Sequence, residues 1–240
     1  MAVSPPVDDT TEALDLTVRG FLFCLRRDDQ QRLTLTAPHL EGYGAITLDW
    51  AAPDVQRRIA GGKKQLLAKA IGLHKHPHLK VFDGTAGLGR DGFTLAALGA
   101  TVTLAERNPV LSALLRDAHR RALAHPALAA AAQRIQLLSH DSSTGLAPAH
   151  DHDVLYLDPM YPDDGKRALP SKEMQILRDL TGGDADADAL LAAALHSGVP
   201  RIVVKRPSKA PWLAGRAPHL SLEGTQARFD LYLNPVHSSG

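Results

Sequence analysis

Apolar and polar positions divide the chain into three stretches. Residues 1–15 carry Pro5-Pro6 and several acids with no periodicity, and read as a flexible tail. Residues 16–52 hold runs of strand character at 18–25, 32–36 (Arg-Leu-Thr-Leu-Thr, alternating) and 45–50 (Ala-Ile-Thr-Leu-Asp-Trp). Polar residues 26–31 between the first two fit a hairpin turn, so this stretch predicts a small antiparallel unit. From residue 53 to 240 the pattern is that of one larger domain. Helical spacing covers 53–60 and 63–73, split by Gly61-Gly62. Strands are then predicted at 81–83, 101–105, 135–138, 153–157 and 201–205. Helices are predicted at 91–98, 109–124, 172–180 and 186–196. Runs at 220–222 and 228–233 about Gly224 suggest a closing hairpin. Strands alternating with helices give an α/β fold, a doubly wound and mostly parallel sheet ending in antiparallel strands.

With 240 residues and 44% hydrophobic content, the chain can fill the core of one such domain plus an appendage. The single cysteine, Cys24, excludes an intrachain disulfide, fits a reducing cytoplasm and sits in an apolar strand as a small core residue. The N-terminus has neither the basic start nor the apolar core of a signal peptide, and no apolar run approaches a membrane span. A soluble cytoplasmic protein is expected. Net charge is +1, which implies no nucleic-acid partner by itself, but its distribution is uneven. No acid occurs between Asp54 and Asp83, where Arg57, Arg58, Lys63 and Lys64 lie. None occurs between Asp188 and Glu223, where Lys205, Arg206 and Lys209 lie. Two such basic stretches can form a face that follows a phosphate backbone.

The sharpest local signal is residues 79–91, Leu-Lys-Val-Phe-Asp-Gly-Thr-Ala-Gly-Leu-Gly-Arg-Asp. A short strand ends in Asp83, a loop with Gly84, Gly87 and Gly89 follows, and a helix begins near Asp91. Glycine permits positive φ and close approach of a ligand, and a helix start leaves N–H groups pointing outwards. The glycine order is not that of the dinucleotide fingerprint, which argues against a nicotinamide dehydrogenase. It is similar to the first motif of class I S-adenosylmethionine (SAM) methyltransferases. Glu106 lies 23 positions beyond Asp83, near the offset of about 20 at which an acid meets ribose hydroxyls. Arg107 follows it. Asp141, Ser142 and Ser143 end the third strand and could bond an adenine edge, although Asp-Ser-Ser also makes ordinary turns.

Asp158-Pro159-Met160-Tyr161 ends the fourth strand and resembles the Asp/Asn-Pro-Pro-Tyr/Phe motif of enzymes that methylate exocyclic amines. An aryl amine's lone pair is delocalised into its ring. Two acceptors, the Asp158 carboxylate and the Pro159 carbonyl, could bind its N–H bonds and turn the lone pair towards a methyl donor. Tyr161 offers a face on which a flipped-out base could stack. Lys205, at the end of the fifth strand, is open to a second basic role, a phosphate contact or an ion pair. Two look-alike metal motifs fail chemically. Pro77 breaks the histidine tract at 74–78, and no acid or cysteine lies nearby. Asp184, Asp186 and Asp188 lack the glycine and distal glutamate of a calcium loop and read as helix caps. No metal is expected.

From about residue 48 to 232 the chain resembles the ribosomal RNA small-subunit methyltransferase J family. The resemblance rests on Arg57-Arg58 with Gly61-Gly62, the 83–91 loop, and Leu104-Ala-Glu-Arg-Asn-Pro-Val110. It continues in Ser142-Ser143, Tyr156-Leu-Asp-Pro-Met-Tyr-Pro162, Lys172-Glu-Met174, Val203-Val-Lys-Arg-Pro207 and Arg228-Phe-Asp230. It implies a Rossmann-like class I fold and SAM as cofactor. The implied activity is methyl transfer to the 2-amino group of a guanosine near the 3′ end of small-subunit rRNA. It implies SAM contacts at Arg90, Asp91, Glu106, Arg107, Ser142, Ser143 and Asp158, with rRNA or a ribosomal subunit as partner. The rivals are an amino-methyltransferase of adenine or cytosine and a non-catalytic RNA-binding protein of the same fold.

Overall fold

The structure, a computed structural model, describes residues 13–160, 171–183, 186–225 and 227–234. A seven-stranded sheet forms the centre. Its first strand in sequence, β5 (Lys80–Asp83), is flanked on one side by β6 (Thr101–Glu106) and β7 (Ile135–Ser139). On the other side lie β8 (Val154–Leu157), β9 (Arg201–Pro207), β11 (Ala227–Leu233) and edge strand β10 (Leu220–Glu223). The first five pair in parallel, and β11 runs antiparallel to both β9 and β10. Strands such as β8, buried at every position, are apolar throughout because both sheet faces are covered.

The covering helices start and stop on local chemistry. α1 (Pro53–Ala60) begins on a proline, and α2 (Leu66–Ile71) stops at Gly72, φ +100°. α3 (Arg90–Ala97) springs from Gly89, φ +66°. α4 (Pro109–Ala124) is capped by Asn108, whose side chain accepts from the N–H groups of Val110 and Leu111 at 2.9 and 3.2 Å. A short α5 (Ala129–Ala132) follows. α6 (Lys172–Thr181) is capped by Ser171 and ends at Gly182, φ +81°, and α7 (Ala187–Leu195) precedes β9. Among the described residues no helix is long and apolar enough to cross a membrane.

The N-terminal unit is a four-stranded antiparallel sheet: β1 (Ala13–Val18), β2 (Phe21–Arg27), β3 (Leu33–Thr36) and β4 (Ile46–Thr47). Two expectations are corrected here. Residues 13–15 belong to β1 rather than to a tail. The apolar run from Val18 is broken by a tight Arg19-Gly20 turn at φ +55° and +85°, giving two strands where one was expected. The helix expected over 63–73 is also shorter. Gln65 is extended (ψ 155°), and its side-chain amide donates to the carbonyls of Arg58 and Gly62, which ends the preceding turn before α2 begins.

Candidate active site

In an open α/β sheet, ligands bind beyond the carboxyl ends of the strands where strand order reverses. Here that point lies between β5, β6 and β8. A cavity of about 570 Å³ opens there. Its walls include Asp83, Gly84, Gly87, Gly89, Arg90, Asp91, Glu106, Arg107, Asp141, Ser142, Ser143, Asp158, Pro159 and Met160. The structure thus brings together every described residue expected at the cofactor and the amine. Tyr161 lies outside the described residues.

The glycine loop is fastened on three sides. Gly84 N–H donates to the Tyr156 carbonyl at 3.0 Å, Gly87 N–H to Glu106 Oε2 at 2.8 Å, and Thr85 N–H to Asp83 Oδ1 at 3.1 Å. A Cβ on Gly84 would lie 2.9 Å from Leu157 and 3.1 Å from Ser142 Oγ. One on Gly89 would lie 2.8 Å from Leu115. The loop therefore lies flat on the strand ends and leaves the space above it open. The other oxygen of Glu106, Oε1, accepts from Asn108 N–H at 2.7 Å. A carboxylate has about four lone-pair sites, so two backbone bonds do not saturate it. At the end of β7, Asp141 Oδ1 accepts from Ser143 N–H at 3.0 Å and from its hydroxyl at 2.7 Å, which fixes Ser142 against the cavity wall.

Two features fit a polar, cationic cofactor. Ser142 Oγ is buried and has no hydrogen-bond partner among the described residues, an arrangement that a ligand acceptor or donor completes. Asp83 is 2% exposed, and burial pushes its carboxyl well above the usual range despite the Thr85 N–H; Asp91, Asp158 and Glu106 push it further. A positive ligand beside it would relieve that. Among the described residues no group of three or more His, Cys, Asp or Glu is placed to hold a metal.

Asp158 sits at the other wall. Its backbone N–H donates to Thr85 Oγ1 at 2.6 Å, tying the end of β8 to the glycine loop. Its Oδ2 accepts from Lys205 Nζ at 2.7 Å, and its Oδ1 accepts no hydrogen bond among the described residues. Lys205 Nζ also donates to Asp91 Oδ2 at 2.8 Å. Asp91 further takes the Tyr156 hydroxyl at 2.7 Å and Arg58 at 2.6 Å. Burial raises the Asp158 carboxyl and Asp91 adds to this, while Lys205 opposes both.

The basic stretches are sorted by this geometry. Lys205 does not stand on the outer surface: its ammonium lies between two carboxylates in the cavity wall. Arg206 is buried, 4% exposed, and donates to the Pro211 carbonyl at 2.5 Å. Arg58 is partly exposed, with its guanidinium on Asp91. Arg57, Lys64 and Lys209 are exposed, Lys63 is half-buried, and all four stand outside the cavity. Arg90 lines the cavity, but its side chain grips Glu173 of α6 through two bonds of 2.7 and 2.9 Å. Asp186 does not cap α7 with its side chain, which instead pairs with Arg107 at 2.7 Å.

Sequence reasoning missed Thr85, Tyr156 and the α6 wall of Met174, Leu177, Arg178 and Thr181. Tyr156 reads as a core aromatic in an apolar strand. Only the buried acid opposite it reveals the use of its hydroxyl.

Comparison with known proteins agrees with the geometry. The SAM_MT family of SAM-dependent methyltransferases matches residues 14–234. The chain is 46% identical over 216 residues to ribosomal RNA small subunit methyltransferase J of Vibrio vulnificus, covering 85% of this chain and 83% of that protein. It is 44% identical over 239 residues to its namesake in Aliivibrio fischeri, covering 95% and 88%. The crystal structure of a SAM-dependent methyltransferase from Neisseria gonorrhoeae superposes with a TM-score of 0.67 at 36% identity, over 84% of this chain and 79% of that one. A glycine loop, a strand-end acid pair and an Asp-Pro-Met segment converge on one cavity, and relatives align along nearly the whole chain. The chain belongs to the ribosomal RNA small subunit methyltransferase J family of SAM-dependent methyltransferases.

Proposed function

We propose that this protein methylates the exocyclic 2-amino group of one guanosine near the 3′ end of small-subunit rRNA, in the cytoplasm, with SAM as donor. The observation that carries the reading is Asp158. Its backbone is tied to the glycine loop through Thr85, and among the described residues it has one carboxylate oxygen engaged and one open in the cavity wall.

The loop of Gly84, Gly87 and Gly89, with Asp83, Arg90 and Asp91, would hold the amino-acid end of the cofactor. Glu106 would accept from its ribose hydroxyls, and Arg107, Asp141, Ser142 and Ser143 would flank its base. When bound, SAM would supply an electrophilic sulfonium methyl with a neutral thioether as leaving group, and the proton displaced from nitrogen would pass to water. Asp158 Oδ1 and the Pro159 carbonyl accept the N–H bonds and hold the lone pair out of conjugation. Holding the amine in line accounts for most of the acceleration. Met160 and Tyr161 would bracket the base, and Arg57, Lys63, Lys64 and Lys209 would contact phosphates outside the cavity.

The test is mass mapping of modified nucleotides in small-subunit rRNA from a strain lacking the gene. One guanosine is expected to lose a methyl group. The wild-type gene should restore it and Asp158→Ala should not, with turnover lowered about 10²- to 10³-fold. Unchanged guanosines, or a methyl lost from an adenine or cytosine instead, overturn the reading.

A further inference from the structure

The cavity contains a group that the family reading leaves without a task. Lys205 leaves β9 beside β8 and places its ammonium 2.8 Å from Asp91 Oδ2 and 2.7 Å from Asp158 Oδ2, with its side chain only 24% exposed. Asp91 is itself fixed from two further directions, by Arg58 from α1 and by the Tyr156 hydroxyl from β8. The row Arg58–Asp91–Lys205–Asp158 thus alternates in charge across four elements, and among the described residues only its last member has an unengaged oxygen.

We propose that Lys205 is a positioning residue for methyl transfer: anchored on Asp91, it clamps Oδ2 of Asp158 so that Oδ1 is presented, ionised, to an N–H of the target amine. This rests on the amine-methylation reading above. An ammonium between two carboxylates favours the charged form of both, and here it opposes the upward push of burial on Asp158. Without it, Asp91 and Asp158 would face each other with Arg58 and the Tyr156 hydroxyl on Asp91 alone. Asp83 and Glu106 face the same cavity from β5 and β6. The outermost acid, Asp158, would then take up a proton and become a donor towards an amine that also donates. A neutral Asp158 cannot hold the lone pair in place.

The sign of the pH effect follows. Lys205 opposes the upward push of burial and of Asp91 on the Asp158 carboxyl. Its removal moves the protonation of Asp158 to higher pH. Residual activity should therefore climb with alkalinity through a range where the wild type is already flat.

The experiment is steady-state transfer of labelled methyl to small subunits from a strain lacking the gene, across pH, for the wild type, Lys205→Met and Lys205→Arg. Lys205→Met is expected to lower kcat about 10²-fold and to shift the acidic limb of the profile upwards. KM for the subunit should stay within about threefold. Lys205→Arg, which keeps charge and donors, should recover most of the rate and the wild-type profile. Should Lys205→Met fail to fold, Lys205→Gln is judged by the same criteria. A raised KM with a shallower salt dependence and unchanged kcat would make Lys205 a phosphate contact and overturn the inference. So would an equal loss at every pH, or an arginine variant as impaired as methionine. Failure of the wild type to label guanosine sinks the underlying reading instead, which keeps the two apart.

Discussion

Ser142 and Asp83 illustrate how single side chains are prepared for a ligand at the expense of the free protein. The Ser142 hydroxyl, without a hydrogen-bond partner among the described residues, is a buried polar group, and such a group costs about 1–3 kcal/mol when left unsatisfied. Ser142→Ala should therefore leave the melting temperature without cofactor unchanged or higher. It should also weaken SAM binding by about 0.5–1.5 kcal/mol, the usual net worth of one hydrogen bond. Thermal melts and titration calorimetry separate the two effects. A fall in stability without cofactor would show that the hydroxyl serves the fold. Asp83 makes the same point through pH. Its folded-state value lies above the unfolded one, raised first by burial. Its stabilising contribution is thus complete below the unfolded value, and it is lost as pH rises through the folded one. At neutral pH the unliganded fold carries this penalty. Asp83→Asn should raise the melting temperature there, flatten its decline with pH, and reduce SAM affinity. A melting temperature that drops at neutral pH would contradict this.

Between elements, the decisive contact is Asp117 on α4. Its carboxylate is 2% exposed and gathers Arg27 of β2 at 3.0 Å, Arg121 at 2.8 Å, Arg120 at 2.6 Å and the Leu33 N–H of β3 at 3.2 Å. It joins the N-terminal sheet to the central one. Burial opposes its charge, but Arg121 and Arg27 outweigh that and hold the carboxyl below the usual range. A depressed folded value means the contribution is present above the unfolded value of about 3.9 and lost as pH falls through the folded one. Asp117→Ala leaves the buried Leu33 N–H unpaired and takes the carboxylate from the partly exposed Arg27, Arg120 and Arg121, and should destabilise the protein by about 1–3 kcal/mol. Chemical denaturation at pH 7 and at pH 3 checks it, with the difference between variant and wild type shrinking at the lower pH. Nothing in the sequence singles out Asp117, one acid among several in an amphipathic helix. Local elements were far more legible. α4 reads directly from Pro109 and its apolar spacing, and the strand-end acids of β5, β6 and β8 read from abrupt apolar-to-polar switches. What could not be read were partners distant in sequence: Lys205 against Asp158, Tyr156 against Asp91, Arg90 against Glu173. The Arg19-Gly20 turn was hidden for another reason, since arginine gives no signal for the positive φ it adopts there.

The two sheets share one apolar interior, and this bears on how the protein unfolds. Leu16, Phe23, Leu25, Leu33 and Leu35 of the N-terminal sheet belong to the same cluster of buried side chains as Val81, Phe93 and Val102 around the central one. Trp50, 2% exposed, stacks on Phe93 of α3 with ring centroids 4.6 Å apart, and its indole N–H donates to the Leu88 carbonyl in the glycine loop. On the opposite flank Lys172 of α6 donates to the Gly42 carbonyl, and His39 pairs with Asp179. α6 in turn lines the cavity and is held to α3 by Glu173 and Arg90. Removing the N-terminal sheet would therefore expose apolar surface and release the cavity's α6 wall together. The chain is expected to unfold in one cooperative step despite its two sheets. Its two tryptophans report the two regions separately: Trp50 lies at the seam, and Trp212, 49% exposed, lies beyond β9. In Trp50→Phe and Trp212→Phe variants, each corrected for its own stability by circular dichroism, fluorescence and circular dichroism should give coincident denaturation curves. SAM at about a hundred times its Kd should move both probes by the same ~2.7 kcal/mol. An earlier transition at Trp50, or a cofactor shift felt only at Trp212, would show that the N-terminal sheet folds as an independent module.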